Sequence, residues 1–138
     1  MSLSIADLTP EAPAAVALWQ AAGLTRPWND PAADINAALA CASSTVLAGH
    51  DEGGRLIATV MAGYDGHRGW LYYLAVAGDR QGEGLGRQMV AAAEGWLAGQ
   101  GAPVVRLMVR TDNAPVAAFY ERLGYEPSEV RVLGRRLS

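Results

Sequence analysis

Residues 78–89, GDRQGEGLGRQM, place four glycines within nine positions, shortly after the apolar run WLYYLAV. Apolar residues recur every fourth position from Leu85 to Leu97, which predicts an amphipathic helix starting near Gly84. The stretch is therefore a turn from a strand to a helix. Glycine has no Cβ and reaches backbone conformations that other residues avoid, so the turn can bring amide N–H groups against a ligand. Those amides and the helix dipole predict an anion site, and a pyrophosphate is its natural ligand.

Two common nucleotide-binding motifs do not fit this loop. The dinucleotide fingerprint G-x-G-x-x-G requires a third glycine where the sequence has Arg87 or Met89. A P-loop requires a lysine, and all 11 basic residues of the chain are arginines. A generic tight turn without a ligand is the remaining alternative.

The length and composition predict one soluble globular domain over residues 1–138. The net charge is −3 without a run of one sign, which argues against nucleic acid as a partner. No apolar run approaches the roughly 20 residues that span a bilayer, so no membrane association is expected. The N-terminus lacks the pattern of a signal peptide, and the single Cys41 cannot form an internal disulfide. Both features favour a cytoplasmic protein.

Metal and hydrolase chemistry have no sequence support. His50 and His67 are the only histidines, and no paired cysteines accompany them, so we expect no metal site. The G-x-S-x-G elbow of a serine hydrolase is also missing from the sequence.

Capping signals predict the other helices. Thr9-Pro10 and Asp30-Pro31 each place a capping residue before a proline, which indicates two helices near the N-terminus. A last helix is predicted to end at Gly124, which supplies a C-terminal cap.

Apolar runs bounded by turn residues predict the strands. DEGG at residues 51–54 joins the first two as a hairpin, and the glycine loop and its helix connect the third to the fourth. We expect an α/β fold with helices on both faces of one mixed sheet and a right-handed parallel crossover. The strands are STVLAGH (44–50), RLIATVMAGY (55–64), WLYYLAV (70–76), VVRLMV (104–109) and VRVLGRRL (130–137).

The spacing that does fit the glycine loop is Q-x-x-G-x-G, formed by Gln81, Gly84 and Gly86. It resembles the acetyl-CoA signature of the GNAT superfamily of N-acetyltransferases. Downstream, RTDNAPVAAFYERLGYEP resembles the family's second motif, with Asn113 seven residues before Tyr120. RPWNDP, GYDGHRG and YERLGY are similar to the small YpeA-type subgroup. The resemblance extends over the whole chain and implies a mixed, mostly antiparallel sheet of about six to seven strands flanked by about four helices.

The resemblance also implies how acetyl-CoA, the acetyl donor, is held. In this family the strand before the glycine loop separates from its neighbour, and its free backbone groups pair with the pantetheine arm. One of its amides polarises the thioester carbonyl. The glycine loop binds the pyrophosphate. The structural alternative for the strand is that it is an ordinary buried strand, and both interpretations can hold because the cofactor contacts are made by the main chain. The matching positions are Leu74, Ala75, Val76, Gln81, Gly82, Glu83, Gly84, Leu85, Gly86, Arg87, Asn113 and Tyr120.

Tyr120 matches the general acid of the family. A phenol stays protonated at neutral pH and can donate to the departing CoA thiolate. Packing beside Phe119 on the same helix is the structural alternative.

The general base is where the chain departs from the family. Ribosomal-protein N-terminal acetyltransferases resemble LEVR-x-x-N with a glutamate base, whereas this chain has Met108 at that position. The nearest candidates are His67 and Asp65 of GYDGHRG. Either can act as the base, and Asp65 can also orient His67 or relay a proton through water. A plain turn at Asp65-Gly66, with a relay through bulk water, is the alternative.

The acceptor pocket of this fold lies between the loop of the first helices and the hairpin strands. Aromatic rings beside a carboxylate suit a small cationic amine. Asp30 as a helix cap and Trp28 as a loop plug are the structural alternatives. The positions are Trp28, Asn29, Asp30, Tyr64 and Tyr72.

The sequence therefore predicts an N-acetyltransferase in which a primary amine attacks acetyl-CoA directly. The acceptor is expected to be a small-molecule amine or a peptide, and Met108 counts against a peptide N-terminus. A non-catalytic acyl-CoA sensor is the alternative, because a conventional base is missing. A toxin-like enzyme that acetylates charged tRNA is a third hypothesis. It would need a basic face, which this sequence does not indicate. Closing strands of such sheets often pair between subunits, which suggests a homodimer.

Overall fold

Five strands and four α-helices follow one another along residues 3–9 and 11–138, which the computed structural model describes. A turn of 3-10 helix at Gly78–Arg80 leads into the glycine loop. The chain divides into two compact units, one ending at Met108 and one running from Val109 to Ser138. The elements are β1 (Ser4–Asp7), α1 (Ala12–Ala21), α2 (Pro31–Ala40), β2 (Ser44–His50), β3 (Leu56–Tyr64), β4 (Gly69–Val76), α3 (Leu85–Gln100), β5 (Val105–Leu107) and α4 (Ala114–Arg122).

The first unit is built on one mixed sheet with the strand order β1-β2-β3-β4-β5. Strands β1 to β4 are antiparallel neighbours, and β5 is parallel to β4. The predicted hairpin of β2 and β3 and the parallel crossover through α3 are confirmed.

Helices cover both faces of this sheet. On one face Trp19 of α1 donates its indole N–H to Thr59 of β3, and Ile35 of α2 joins the same apolar core. Neighbouring residues of a strand point to opposite faces, so Ala58 faces away from Trp19. Gly49, the β2 partner of Ala58, lies against Met89 of α3. Helix α3 therefore packs on the second face.

The first helix begins later than the Thr9-Pro10 signal predicts. Glu11 is the N-cap of α1, and Pro13 lies in its first turn. If Thr9 were the cap, Pro13 would fall at the fourth helical position, where proline lacks the N–H that the helix requires. Thr9 as a cap is therefore wrong, and Pro10 lies outside the described residues. Asp30 does cap α2, as predicted.

The sheet has five strands among the described residues, and the expected six to seven is wrong. Strand β1 was not predicted because SIAD is short and only half apolar. The predicted closing strand at residues 130–137 does not form. Apolar alternation predicts which side chains share a face, but a strand exists only where its backbone finds a partner.

The second unit contains α4, which ends just before Gly124 as predicted and which Asn113 caps at its start, a role that was not predicted. The Asn113 side chain accepts a hydrogen bond from the backbone N–H of Val116 at 3.4 Å. Gly124 follows the C-cap Leu123 with a φ of 96°, and its N–H donates to the carbonyl of Glu121. No helix in the described part of the chain is both long and apolar enough to traverse a bilayer.

Candidate functional site

Strand β4 carries a bulge midway along its pairing with β3. The register shifts so that Val60 of β3 lies opposite two residues of β4, Tyr73 and Leu74. Tyr73 has a φ of 53°, a left-handed conformation that costs a bulky residue about 1–3 kcal/mol. Bulges bend a strand and redirect the groups that follow. The redirected segment, residues 74–76, is the one predicted to meet the pantetheine arm.

Three contacts hold Tyr73 in this conformation. Its ring stacks on Trp19 with centroids 3.9 Å apart and planes within 3°. Its hydroxyl donates to Asp34 of α2 at 2.9 Å, and its carbonyl accepts from the Thr59 hydroxyl at 3.2 Å. Burial and the neighbouring Asp34 raise the pKa of Tyr73 to about 12, so this phenol is a permanent donor at physiological pH. The bulge is therefore fixed from both helices of its face.

One edge of β4 beyond the bulge is not covered by a strand in residues 3–9 and 11–138. The parallel ladder with β5 spans only Gly69 to Leu71. Farther along, the Val76 carbonyl accepts a hydrogen bond from the Gln81 side chain at 3.2 Å. The first residue of the glycine motif is thus tied to the end of the strand that precedes it.

The glycine loop has the backbone that its sequence predicts. Gly82 and Gly84 have φ values of 81° and 77°, and a Cβ on either would point into open space. Gly84 is the N-cap of α3, a helix of 16 residues, and its side-chain-free position leaves the first amides of the helix uncovered. Such amides and the positive end of the dipole bind phosphate groups. With Arg87 exposed in the first turn, these residues fit a pyrophosphate.

An open cleft of about 330 Å³ lies at the end of the sheet where β3 turns into β4. Tyr72 is 40% exposed, and it directly precedes the bulge in β4. Burial and the negative charge of Asp65 raise the pKa of Tyr72. The cleft is lined by Ser43, Ser44, Gly63, Tyr64, Asp65, Trp70 and Tyr72.

Asp65 organises the turn at the rim of this cleft. One carboxylate oxygen accepts the backbone N–H groups of Arg68 at 2.7 Å and His67 at 2.8 Å, and the other accepts from the Trp70 indole at 3.3 Å. The backbone N–H of Arg68, with that of His67, lowers the pKa of Asp65. A carboxylate held in this way is a weak base. His67 is exposed on the same turn.

The five predicted acceptor residues do not all line this cleft. Tyr64 and Tyr72 do, whereas Trp28, Asn29 and Asp30 are not among its lining residues. Asp30 accepts the N–H of Ala33 at 3.1 Å as the cap of α2, and Trp28 is 60% exposed.

Tyr120 is the buried residue of α4, with 7% of its surface exposed. Its ring meets Phe119 and Tyr125 edge to face, at centroid distances of 5.0 and 5.5 Å. Burial raises the pKa of Tyr120 to about 12. The phenol therefore remains protonated across the physiological range, which suits a donor. Asn113, the other predicted residue of this motif, caps the same helix.

Sequence reasoning missed several residues around the site. Trp70 donates to Asp65 only five residues earlier, a contact across the turn that could have been noticed. Asp34 contacts Tyr73 from 39 residues away, a separation that no local pattern reports. Arg80 pairs with Glu83 three residues later, a spacing that could have been noticed, and with Asp51, which is 29 positions away.

Comparisons with known proteins agree with this geometry. The model of the "Acetyltransferase (GNAT) family" matches residues 13–125. An acetyltransferase of Pectobacterium atrosepticum is 41% identical over 124 residues, covering 90% of this chain and 87% of that protein. An acetyltransferase of Yersinia pestis is 40% identical over 122 residues, covering 88% and 86%.

Solved structures show the same fold at low identity. The aminoglycoside N-acetyltransferase AAC(6')-Iy, in complex with CoA, superposes with a TM-score of 0.83 at 16% identity, over 99% of this chain and 96% of that one. Glucosamine-6-phosphate N-acetyltransferase from Arabidopsis thaliana has a TM-score of 0.73 at 14% identity, with both chains fully covered. The family match and the bacterial relatives together show that this chain is an acyltransferase and belongs to the GNAT family.

Proposed function

We propose that the protein transfers an acetyl group from acetyl-CoA to a primary amine of a small molecule. The observation that carries the proposal is the bulged strand β4, open along one edge, next to a left-handed glycine loop at the start of α3. Bound acetyl-CoA supplies an activated thioester that the amine attacks directly.

In this proposal main-chain groups hold the donor. The backbone of Leu74, Ala75 and Val76 pairs with the pantetheine arm, and an amide next to the bulge polarises the thioester carbonyl. The loop residues from Gln81 to Gly86, with Arg87, hold the pyrophosphate, and Asn113 contacts the donor. The Tyr120 hydroxyl donates to the sulfur as the carbon–sulfur bond breaks.

The acceptor is proposed to enter the cleft beside Tyr72, because this residue immediately precedes the bulge. Three aromatic rings and the Asp65 carboxylate line the cleft, and none of its lining residues in the described part of the chain is cationic. Rings and a carboxylate favour a cationic amine over an anionic or neutral acceptor. Trp28, Asn29 and Asp30 are proposed to contact parts of the acceptor outside the cleft.

His67 is the proposed base, with Asp65 shaping the turn that presents it. Replacement of His67 by alanine should lower kcat by at least about tenfold near neutral pH. Asp65→Asn should lower kcat less, because the asparagine keeps an oxygen that accepts the backbone N–H groups of the turn. Equal activity of His67→Ala and the wild-type protein over the pH range would instead favour a bulk-water relay.

The test is thiol release from acetyl-CoA in the presence of pooled polyamines, amino acids, aminoglycosides and short peptides. We expect release with a pool of small cationic amines, and loss of at least about 100-fold in Tyr120→Phe with CoA binding retained. Full turnover in Tyr120→Phe would exclude the acid role. Binding of acetyl-CoA without thiol release in any pool would favour the acyl-CoA sensor. Thiol release with peptides alone would change the proposed acceptor from a small-molecule amine to a peptide.

Four further assignments accompany this proposal. Residues 1–138 form one acetyltransferase domain, which the family match across both units supports. The sequence is the basis for assigning the chain to the YpeA-type subgroup and to the cytoplasm.

Two copies pair through residues 130–137, where Val130, Val132, Leu133 and Leu137 are 67–94% exposed. Light scattering of the wild-type protein and of Leu133→Asp tests the pairing, and a monomeric wild type would contradict it.

A further inference from the structure

Arg80 bridges the glycine loop to the turn between β2 and β3. Its Nε and Nη2 atoms donate to the two carboxylate oxygens of Glu83 at 2.9 and 3.1 Å. Its Nη1 atom donates to Asp51 Oδ2 at 3.0 Å. The Arg80 and Asp51 side chains are only 17% and 18% exposed. The guanidinium is therefore an integral part of the loop and not a solvated surface group.

The anchor on the other side of this bridge is itself rigid. The second carboxylate oxygen of Asp51 accepts the backbone N–H groups of Arg55 at 2.9 Å and Gly53 at 3.0 Å. The Arg55 N–H, more than any other group, lowers the pKa of Asp51 and keeps it ionised. Arg80 thus pairs with a carboxylate that the hairpin turn holds in place.

Glu83 poses an electrostatic problem at this place in the chain. It lies between Gly82 and Gly84, whose left-handed backbones shape the proposed anion site. A free carboxylate there would repel a pyrophosphate, because like charges at short range oppose each other. The paired contacts with Arg80 neutralise Glu83 and hold it to one side.

We propose that Arg80 is a positioning residue for CoA binding: it neutralises Glu83 and fixes the glycine loop on Asp51. This inference rests on the proposed function, in which the loop takes the pyrophosphate. Arg80 need not touch the ligand. Its contribution appears in the affinity for CoA, before any acetyl transfer.

Titration calorimetry with CoA tests the proposal, with Arg55→Met as the matched control for Arg80→Met. Arg55 makes a similar paired contact with Asp79 at 2.8 and 3.0 Å, but both side chains are more than half exposed and the pair does not include Glu83. We expect Arg80→Met to raise the Kd for CoA at least about tenfold. Arg55→Met should stay within about twofold of the wild type, because exposed pairs contribute little.

A second variant separates charge neutralisation from simple loss of structure. In Arg80→Met/Glu83→Gln the uncompensated carboxylate is gone, so the Kd should return most of the way to the wild-type value. The Arg80→Met defect should also shrink in about 1 M salt, where the screening length is about 3 Å. A double variant as weak as Arg80→Met, or equal Kd values for Arg80→Met and Arg55→Met, would overturn the inference.

The two proposals fail in different ways. If the wild-type protein does not bind CoA, the proposed function is contradicted. If it binds CoA and the Arg80 variants bind equally well, only the role of Arg80 is contradicted. Hydrogen exchange of residues 82–86 in the free protein gives a readout without ligand: it should accelerate in Arg80→Met and not in Arg55→Met.

Discussion

At the scale of single residues, burial makes Tyr120 a different acid from a phenol in water. Its raised pKa keeps the proton on the oxygen across the physiological pH range. It also makes complete transfer to a thiolate, with a reference value near 8.5 for a cysteine thiol, energetically uphill. In the proposed mechanism the residue is therefore better suited to stabilise the leaving sulfur by a hydrogen bond than to protonate it fully.

The same burial predicts how stability depends on pH. In the unfolded chain Tyr120 ionises near pH 10, and in the folded protein near pH 12. Between these values only the unfolded chain loses the proton, so stability must fall as the pH rises. Two pKa units correspond to roughly 2 to 3 kcal/mol. Urea denaturation from pH 9 to 12 should show a smaller decline in Tyr120→Phe than in the wild type, and parallel curves would contradict the assignment.

At the scale of elements, the site depends on a strand that departs from regular geometry. The bulge in β4 requires Tyr73 at positive φ, and Trp19 and Thr59 supply contacts that offset its cost. Thr59 is fully buried, and its hydroxyl both accepts from Trp19 at 2.7 Å and donates to Tyr73. A buried hydroxyl with two such roles couples the helix layer to the course of the strand.

Removal of the Thr59 hydroxyl should lower the free energy of unfolding. Thr59→Val keeps the shape of the side chain but leaves the buried indole N–H without its acceptor, at a cost of about 1–3 kcal/mol. Thr59→Ser keeps the hydroxyl and loses only a methyl group. In urea denaturation the free energy of unfolding should be highest for the wild type, lower for Thr59→Ser and lowest for Thr59→Val. Equal stability of Thr59→Val and the wild type would mean that the bond does not support the bulge.

Two glycines of helix α3 should respond in opposite ways to alanine. Gly84, the N-cap, has a φ of 77°, and an L-residue there costs about 1–2 kcal/mol even though the space is open. Gly95 lies inside α3 with nothing near a new Cβ, so alanine should stabilise the helix by about 0.8–1 kcal/mol. Thermal unfolding should move down for Gly84→Ala and up for Gly95→Ala. Shifts in the same direction would contradict the assigned backbone roles.

At the scale of the whole molecule, local signals predicted what local physics decides. The Asp30 cap, the hairpin at DEGG and the left-handed glycines follow from preferences within a few residues. The start of α1 is a local exception, because Pro13 overrides the Thr9-Pro10 signal. Strand β1 and residues 130–137 depend on pairing partners far along the chain. The site divides in the same way: the loop motif was visible in the sequence, whereas the contacts Tyr73–Asp34 and Arg80–Asp51 needed the fold.

Hydrogen exchange of the whole chain with and without CoA is the most direct test of the claim that strand β4 and the glycine loop together hold the donor. The ligand should slow exchange in both residues 74–76 and residues 82–86, because both segments are proposed to donate backbone N–H groups to it. Protection confined to other segments, or no protection at saturating CoA, would contradict the claim.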